Sequence, residues 1–431
     1  MKFSFKGKSL KGTLRVPSDK SISHRAVMLG SLNKGKTIIK NFLRSEDCLN
    51  TLKAFKELGV NIKDNNQTVE IAGKGKYALK EPFNVIDLGN SGTSIRLISG
   101  ILSGQPFYSV LTGDQYLRRR PMDRIAIPLR QMGAEIYGRE SGKYPPLTII
   151  GKEKLKGIDY KSPKASAQVK SCILLAGLFT DEPVSVTEPA KSRDHTERML
   201  RAYGVEVLVE GLKVSLGNHR ELNAPEIEIN VPADISSAAF FMVGAAITPN
   251  SEVILRDVIL NETRKGILDV MERMNVNFSV ENVKVSSGEP IGDIVVQYSP
   301  ELKSTIIEGE EIPRLIDEIP IIALLASQAE GETVIRDASE LRVKESDRIS
   351  STVENLKNIG VEAEEFPDGM AIRGKSKIKG GKVKSYGDHR IAMTFIIASL
   401  ISEGEIEIDD IECISTSYPD FLKDLNSLLS D

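Results

Sequence analysis

Cations recur along this 431-residue chain at places where helix physics disfavours them. Lys20 follows Ser18-Asp19 at the start of an apolar stretch, with Arg25 about a turn later. Arg118-Arg119-Arg120-Pro121 precedes another helical stretch, and His389-Arg390 follow Gly387-Asp388. The segment LRVKESDR sets Lys344 and Arg348 at i and i+4, a like-charge spacing that costs roughly a few tenths of a kcal/mol on a helix. A helix N-terminus carries about half a positive charge and unsatisfied N–H groups, so it favours anions. Asp19, Asp388, Glu345 and Asp347 could neutralise these cations on solvated faces. Four clusters at equivalent ends of repeated segments point instead to an anionic ligand, phosphate or carboxylate, held by Arg forks and helix N–H groups together. The turn GNSGTS at Gly89–Ser94 would let backbone approach a phosphate closely, although such turns are common.

Other chemistries find less support. Gly30 to Thr37 spells G-x-x-x-x-G-K-T, but a phosphate-cradling P-loop follows a strand and opens a helix. Here HRAVMLGSL is helical and TIIKNFL strand-like, the reverse order. The four histidines, His24, His195, His219 and His389, lack metal-binding spacing, so no metal is expected. Cys48, Cys172 and Cys413 are odd in number and never C-x-x-C, which fits a reducing, cytoplasmic setting without a thiolate metal site. With 57 basic and 60 acidic residues the chain has no net charge suited to coating nucleic acid. The longest apolar run, Ala238 to Ile247, is far short of the roughly 20 residues that span a bilayer, and MKFSFKGKSLKG lacks a signal-peptide core.

The elements that must carry the cations repeat. A helical stretch running into Gly and then an alternating strand occurs around Gly59, Gly133, Gly204, Asn275 and Gly360, about seventy residues apart. Gly and Asn both tolerate the left-handed conformation of a helix C-cap. A second phrase, a polar turn before a small-residue apolar helix, starts at Pro17, Gly89, Lys164, Pro232, Pro313 and Tyr386. Six α/β units fill the chain, each with one helix apolar nearly all round, hence buried, and one amphipathic helix. Two groups of three are expected, cut near Val231–Pro232, where INVPAD places an extended residue before Pro.

Taken together, PSDKSISHR, LGNSGTSIR, GDQYLRRRPM, SAQVK, SRDHTE, RLIDEIP, LRVKESDR and YGDHRIAM, in this order, resemble the 5-enolpyruvylshikimate-3-phosphate synthase family along essentially the whole chain. The resemblance implies two similar domains, each of three βαβαββ repeats packed around buried helices, spanning 15–231 and 1–14 with 232–431. It implies transfer of the enolpyruvyl group of phosphoenolpyruvate to the 5-hydroxyl of shikimate 3-phosphate, with release of phosphate, on the route to chorismate and aromatic amino acids. No cofactor is implied, and the partners are these two small molecules alone, with no nucleic acid or membrane, for an expected monomer. Phosphoenolpyruvate would be held by Lys20, Gly92, Arg120, Gln168, Lys344, Arg348 and Arg390. Shikimate 3-phosphate would be held by Lys20, Ser21, Arg25, Ser166, Gln168, Arg193, Asp317 and Lys344. Asp317, Glu345 and Lys20 stand at the catalytic positions; Asn90, Thr93 and His389 are further candidates.

Ser166-Ala167-Gln168 replaces the Ser-Ser-Gln of many members, and Thr416 replaces a C-terminal Lys, removing one cation from the phosphoenolpyruvate side. The motifs D-K-S, S-A-Q-x-K, R-D-H-x-E and N-E-T-R (Asn261–Arg264) fit a divergent, glyphosate-tolerant class. Leu97 stands where the common class has Pro, while Gly92 is retained, so intermediate tolerance is expected, raised by Gly92→Ala at little cost in turnover. The sister transferase acting on UDP-N-acetylglucosamine usually carries a loop Cys, and Thr112 to Met122 contains none. An inactive anion-binding homologue would be expected to lack the carboxylates, and both are present.

Overall fold

A helix that is apolar on every face has to be enclosed, and six such helices organise this chain. In the computed structural model, which describes residues 1–430, they run Lys20–Leu32, Gly92–Ser103, Ala167–Ala176, Ile235–Ile247, Ile319–Ala326 and His389–Ala398. Every residue of the last three is buried. Burial removes water from the first-turn N–H groups, so the residue before each helix matters. Asp19, Ser91, Ser166, Asp234 and Asp388 each accept a bond from a first-turn N–H. The fifth helix departs: the phrase beginning at Pro313 forms a short turn, Ile312–Leu315, and the buried helix starts only after Asp317-Glu318, with Pro320 near its N-terminus.

Around each buried helix the chain repeats one pattern. Ile86–Asp87 and Tyr108–Thr112 pair in parallel across the Gly92–Ser103 helix; the amphipathic helix Asp123–Gln131 follows, then the antiparallel strands Glu135–Gly138 and Tyr144–Ile150. The sheet order is first, second, fourth, third strand, and it recurs in the sheets built on Val184–Thr187 and Glu332–Ile335. Two copies borrow their first strand from a distant segment. Glu226–Asn230 pairs in parallel with Lys34–Lys40, and Ser9–Leu14 with Glu252–Ile259. The sixth copy lacks the final hairpin; Lys2–Phe3 pairs with Ile406–Ile408 in its place, and Leu429–Ser430 pairs with Ser9-Leu10.

The chain divides into two compact units, Ser18–Val231 and Met1–Pro17 with Pro232–Asp431. Residues 15–17, grouped by sequence with the first half, lie in the second unit. They continue the Ser9–Leu14 strand, and the Pro17 carbonyl accepts from the Asp234 N–H at 2.9 Å. The P-loop look-alike is a helix, Lys20–Leu32, running into the strand Lys34–Lys40, so no phosphate cradle forms. No helix among the described residues is long and apolar enough to cross a membrane.

The amphipathic helices end in one device. Gly59, Gly133, Gly204, Asn275 and Gly360 all have positive φ, between 62° and 99°. At each, the following N–H reaches back to the carbonyl five residues earlier, as Val60 does to Phe55 and Val276 to Met271. This paired closure satisfies carbonyls the helix end would leave open. A Cβ at Gly133 would meet nothing within 4 Å, so only backbone strain opposes a side chain there. Gly133→Ala should therefore cost about 1–2 kcal/mol in urea denaturation, and Gly133→Asn less, as Asn275 already illustrates. Equal stability of Gly133→Ala and wild type would contradict this.

His24 sits inside the first unit, its Nδ1 2.7 Å from Thr51 Oγ1. Burial, with Lys20 and Arg25 nearby, holds the imidazole well below its ordinary value. The unfolded chain then takes up a proton near pH 6.5 that the folded chain refuses, so stability is complete above about 6.5 and declines below it, by up to about 1.4 kcal/mol per pH unit. His24→Gln should flatten that acid-side slope between pH 5 and 7. An unchanged slope would exclude His24 as its source.

Candidate active site

In the Ser18–Val231 unit the starts of the buried helices carry the polar groups. Lys20 opens its helix beside the Asp19 cap, and its ammonium pairs with Asp47 at 3.0 Å. Arg25 turns inward: its guanidinium donates to Ser21 O, Ser171 Oγ and Thr196 Oγ1 at 2.6–2.9 Å, tying three segments together. Of the three consecutive arginines only Arg120 is buried; Arg118 and Arg119 are exposed. The Arg120 guanidinium lies against Gly92, where an added Cβ would sit 2.5 Å from Nη1. An added methyl at residue 92 would have to push the guanidinium aside.

The same turn is joined to the third buried helix. Gln168 donates to Thr93 Oγ1 at 2.9 Å and accepts from Arg96 Nη1 at 2.5 Å, while Arg96 Nη2 holds the Pro121 carbonyl at 3.1 Å. Ser166 caps its helix, and its N–H donates to Glu188 at 2.9 Å. Asn90 bonds Asp114 instead of the Gln168 group, and Arg193 lies half-buried in the loop before the His195–Ala202 helix.

The second unit gathers its candidates around one guanidinium. Arg348, 1% exposed, opens the Arg348–Asn358 helix and meets three carboxylates: Asp317 at 3.0 Å, Glu345 at 2.6 Å and Asp388 at 2.8 Å. Burial works against its charge, but Asp388, Glu345 and Asp317 outweigh it and push the guanidinium above its already high value. Lys344 reaches the same Asp317 oxygen at 3.2 Å. The Lys344/Arg348 pair is therefore not two like charges on one helical face. Lys344 lies before the helix, and Asp317 bridges both cations.

Asp388 caps the last buried helix through the Arg390 N–H while also receiving Arg348 and Ser346 Oγ. Arg390 is buried in the first turn of that helix. His389 Nδ1 faces Thr416 Oγ1 at 3.2 Å. Burial raises all three thiols, Cys413 to about 12, and none is a nucleophile at neutral pH.

Sequence reasoning treated Asp388 only as a neutralising neighbour and overlooked Asp47 and Arg96 as site-supporting groups. Asp388 was recognisable as an N-cap before a buried helix, whereas Asp47 and Arg96 acquire meaning only from partners 27 and 72 residues away.

Each unit thus presents cations at buried helix starts paired with carboxylates, Lys20 with Asp47 in one and Arg348 with Asp317, Glu345 and Asp388 in the other. Comparison with known proteins gives the same organisation a lineage. Residues 5–425 match the family model of EPSP synthase (3-phosphoshikimate 1-carboxyvinyltransferase). A 3-phosphoshikimate 1-carboxyvinyltransferase from Bacillus cereus is 54% identical over 97% of both chains, and one from Geobacillus kaustophilus is 53% identical over 98% of both. The solved EPSP synthase of Acinetobacter baumannii superposes with a TM-score of 0.86 at 46% identity, covering 100% of this chain and 99% of that one. The enolpyruvyl transferase NikO from Streptomyces tendae, 15% identical with a TM-score of 0.76 over 99% of this chain and 96% of its own, shares the fold. A family model spanning nearly every residue, and relatives more than half identical from end to end, leave one assignment: the chain belongs to the EPSP synthase family.

Proposed function

We propose that this chain transfers the enolpyruvyl group of phosphoenolpyruvate to the 5-hydroxyl of shikimate 3-phosphate and releases phosphate. The observation that carries the reading is the Arg348 cluster, in which Asp317 and Glu345 are held on one buried guanidinium beside Lys344. The addition step takes a proton from the 5-hydroxyl as its oxygen bonds the phosphate-bearing carbon, and gives one to the neighbouring methylene. Elimination takes a proton back from that carbon as the bond to phosphate breaks. Two carboxylates fixed at different edges of one guanidinium suit such paired transfers, with Lys20 as a further proton carrier. Lys20, Arg120, Lys344, Arg348 and Arg390 supply charge for the phosphate and carboxylate of phosphoenolpyruvate, with the Gly92 turn and Gln168 hydrogen-bonding. Ser21, Arg25, Ser166, Gln168, Arg193, Lys20, Asp317 and Lys344 serve shikimate 3-phosphate; Asn90, Thr93 and His389 support the turns beside them.

Phosphate release should require both substrates and fail with UDP-N-acetylglucosamine in place of shikimate 3-phosphate; release with the sugar nucleotide alone as acceptor would overturn the reading. Glu345→Gln and Asp317→Asn should each lower kcat by roughly 10²–10⁴-fold. Shikimate 3-phosphate binding should suffer more in Asp317→Asn, which loses the anion serving both Lys344 and Arg348. Turnover within about twofold of wild type in both variants would remove the pair from the chemistry.

We further propose the divergent, glyphosate-tolerant class. Its support lies in S-A-Q-x-K and R-D-H-x-E, which here supply Lys170 and Glu197 to one buried ion cluster, and in N-E-T-R, whose Arg264 pairs with the Asp234 cap. Leu97 leaves the Gly92–Ser103 helix without a proline. The position of Arg120 revises the expectation for Gly92→Ala, because the new methyl displaces the guanidinium itself. The variant should resist glyphosate more strongly yet raise the KM for phosphoenolpyruvate severalfold, with kcat little changed. Inhibition and KM both equal to wild type would show that the Arg120–Gly92 contact does not border the inhibitor.

A further inference from the structure

Lys170 is a lysine buried to 3% exposure, and the reaction scheme makes no use of it. Its ammonium meets Glu188 at 2.9 Å, Glu197 at 2.7 Å and the Ser192 carbonyl at 3.5 Å. Three acceptors match the three N–H donors of an ammonium. Burial works against the charge, but Glu197 and Glu188 outweigh it and raise the lysine above its ordinary value. Glu188 is equally occupied: beyond Lys170 it accepts from the Ser166 N–H at 2.9 Å and from Ser192 Oγ at 2.7 and 2.9 Å. Glu197 anchors the cluster to the His195–Ala202 helix.

These bonds converge on the segments that carry Ser166 and Arg193. Ser166 is the cap of the helix that contains Lys170, and Arg193 directly follows Ser192. Gln168, by contrast, has separate anchors in Arg96 and Thr93. We infer that Lys170 is a positioning residue that acts through Glu188, fixing the Ser166 turn and the Ser192-Arg193 loop in the spacing that shikimate 3-phosphate requires. The inference rests on the proposed function. Two buried glutamates share one lysine, so neutralising Lys170 leaves two uncompensated carboxylates a short distance apart. Their repulsion would release Glu188 from Ser166 and Ser192.

The test is steady-state kinetics with calorimetric binding of shikimate 3-phosphate to the full chain. Lys170→Met should raise the KM and Kd for shikimate 3-phosphate by about tenfold, since a sub-ångström to 1 Å misplacement has effects of this order or larger. The KM for phosphoenolpyruvate should stay within about twofold, and Lys170→Arg should recover most of the loss because it keeps the charge between both glutamates. Should Lys170→Met fail to fold, Glu188→Ala carries the same test, because it removes the acceptor through which Lys170 holds the Ser166 N–H and Ser192 Oγ and leaves Lys170 paired with Glu197 alone. A folded variant with an unchanged KM for shikimate 3-phosphate, or with both KM values raised alike, overturns the inference. Wild type that binds no shikimate 3-phosphate would overturn the functional reading itself; wild type that binds it as tightly as every variant overturns only the role of Lys170.

Discussion

Enclosing a helix on all sides deprives its first turn of water while leaving N–H groups that need acceptors. This one requirement governs much of what the chain does at the ends of its buried helices. Aspartate or serine stands at five of the six starts, and each side chain bonds into the turn it precedes. Two of the caps are also junctions: Asp234 receives Arg264 and Asp388 receives Arg348. The helix start is thereby linked to a neighbouring segment by the same group that satisfies its backbone.

The cations follow from the junctions. A lysine or arginine beside a positive helix end is unfavourable unless carboxylates or a bound anion compensate it. The chain supplies carboxylates to each cation: one for Lys20, two for Lys170, three for Arg348. Such clusters add little net stability, because desolvating the charges cancels most of their attraction, whereas removing one partner costs about 3–5 kcal/mol. What they contribute is geometry. Asp317 and Glu345 cannot wander independently, since each is tied to the same guanidinium, itself held by the Asp388 cap. Asp317 also brings Lys344 beside Arg348, since both cations reach the same oxygen.

This division explains what could be read in the sequence and what could not. The five left-handed turns at Gly59, Gly133, Gly204, Asn275 and Gly360 were legible because a Schellman closure is local: it depends on residues within one turn and its successor. The six buried helices were legible from stretches apolar nearly all round, the charged residues in them being few. Borrowed strands were not, because Glu226–Asn230 completing the sheet of Lys34–Lys40 leaves no local trace. Resemblance supplied the names of Asp317, Glu345 and Arg348 but not their bonding, and the i, i+4 spacing of Lys344 and Arg348 suggested a like-charge pair where Asp317 bridges the two. Lys170 and Glu188 looked like ordinary helix and loop residues, because burial of an ion cluster is decided by partners far along the chain.

The borrowed strands also account for how one three-repeat unit comes to be interrupted by another. A parallel pair needs a crossover, and in most copies the buried helix alone makes it, as Gly92–Ser103 does between Ile86–Asp87 and Tyr108–Thr112. Between Ser9–Leu14 and Glu252–Ile259 the crossover holds the whole Ser18–Val231 unit in addition to the helix Ile235–Ile247. Loop closure cost grows only logarithmically with length, so so long an insertion is thermodynamically tolerable. It becomes cheaper still if the insert is itself closed. Pairing Glu226–Asn230 with Lys34–Lys40 does this, bringing the end of the inserted unit back beside the sheet near its beginning. The Pro17 carbonyl can then meet the Asp234 N–H, and the cap that opens the Ile235–Ile247 helix is set within three residues of the point where the chain returns.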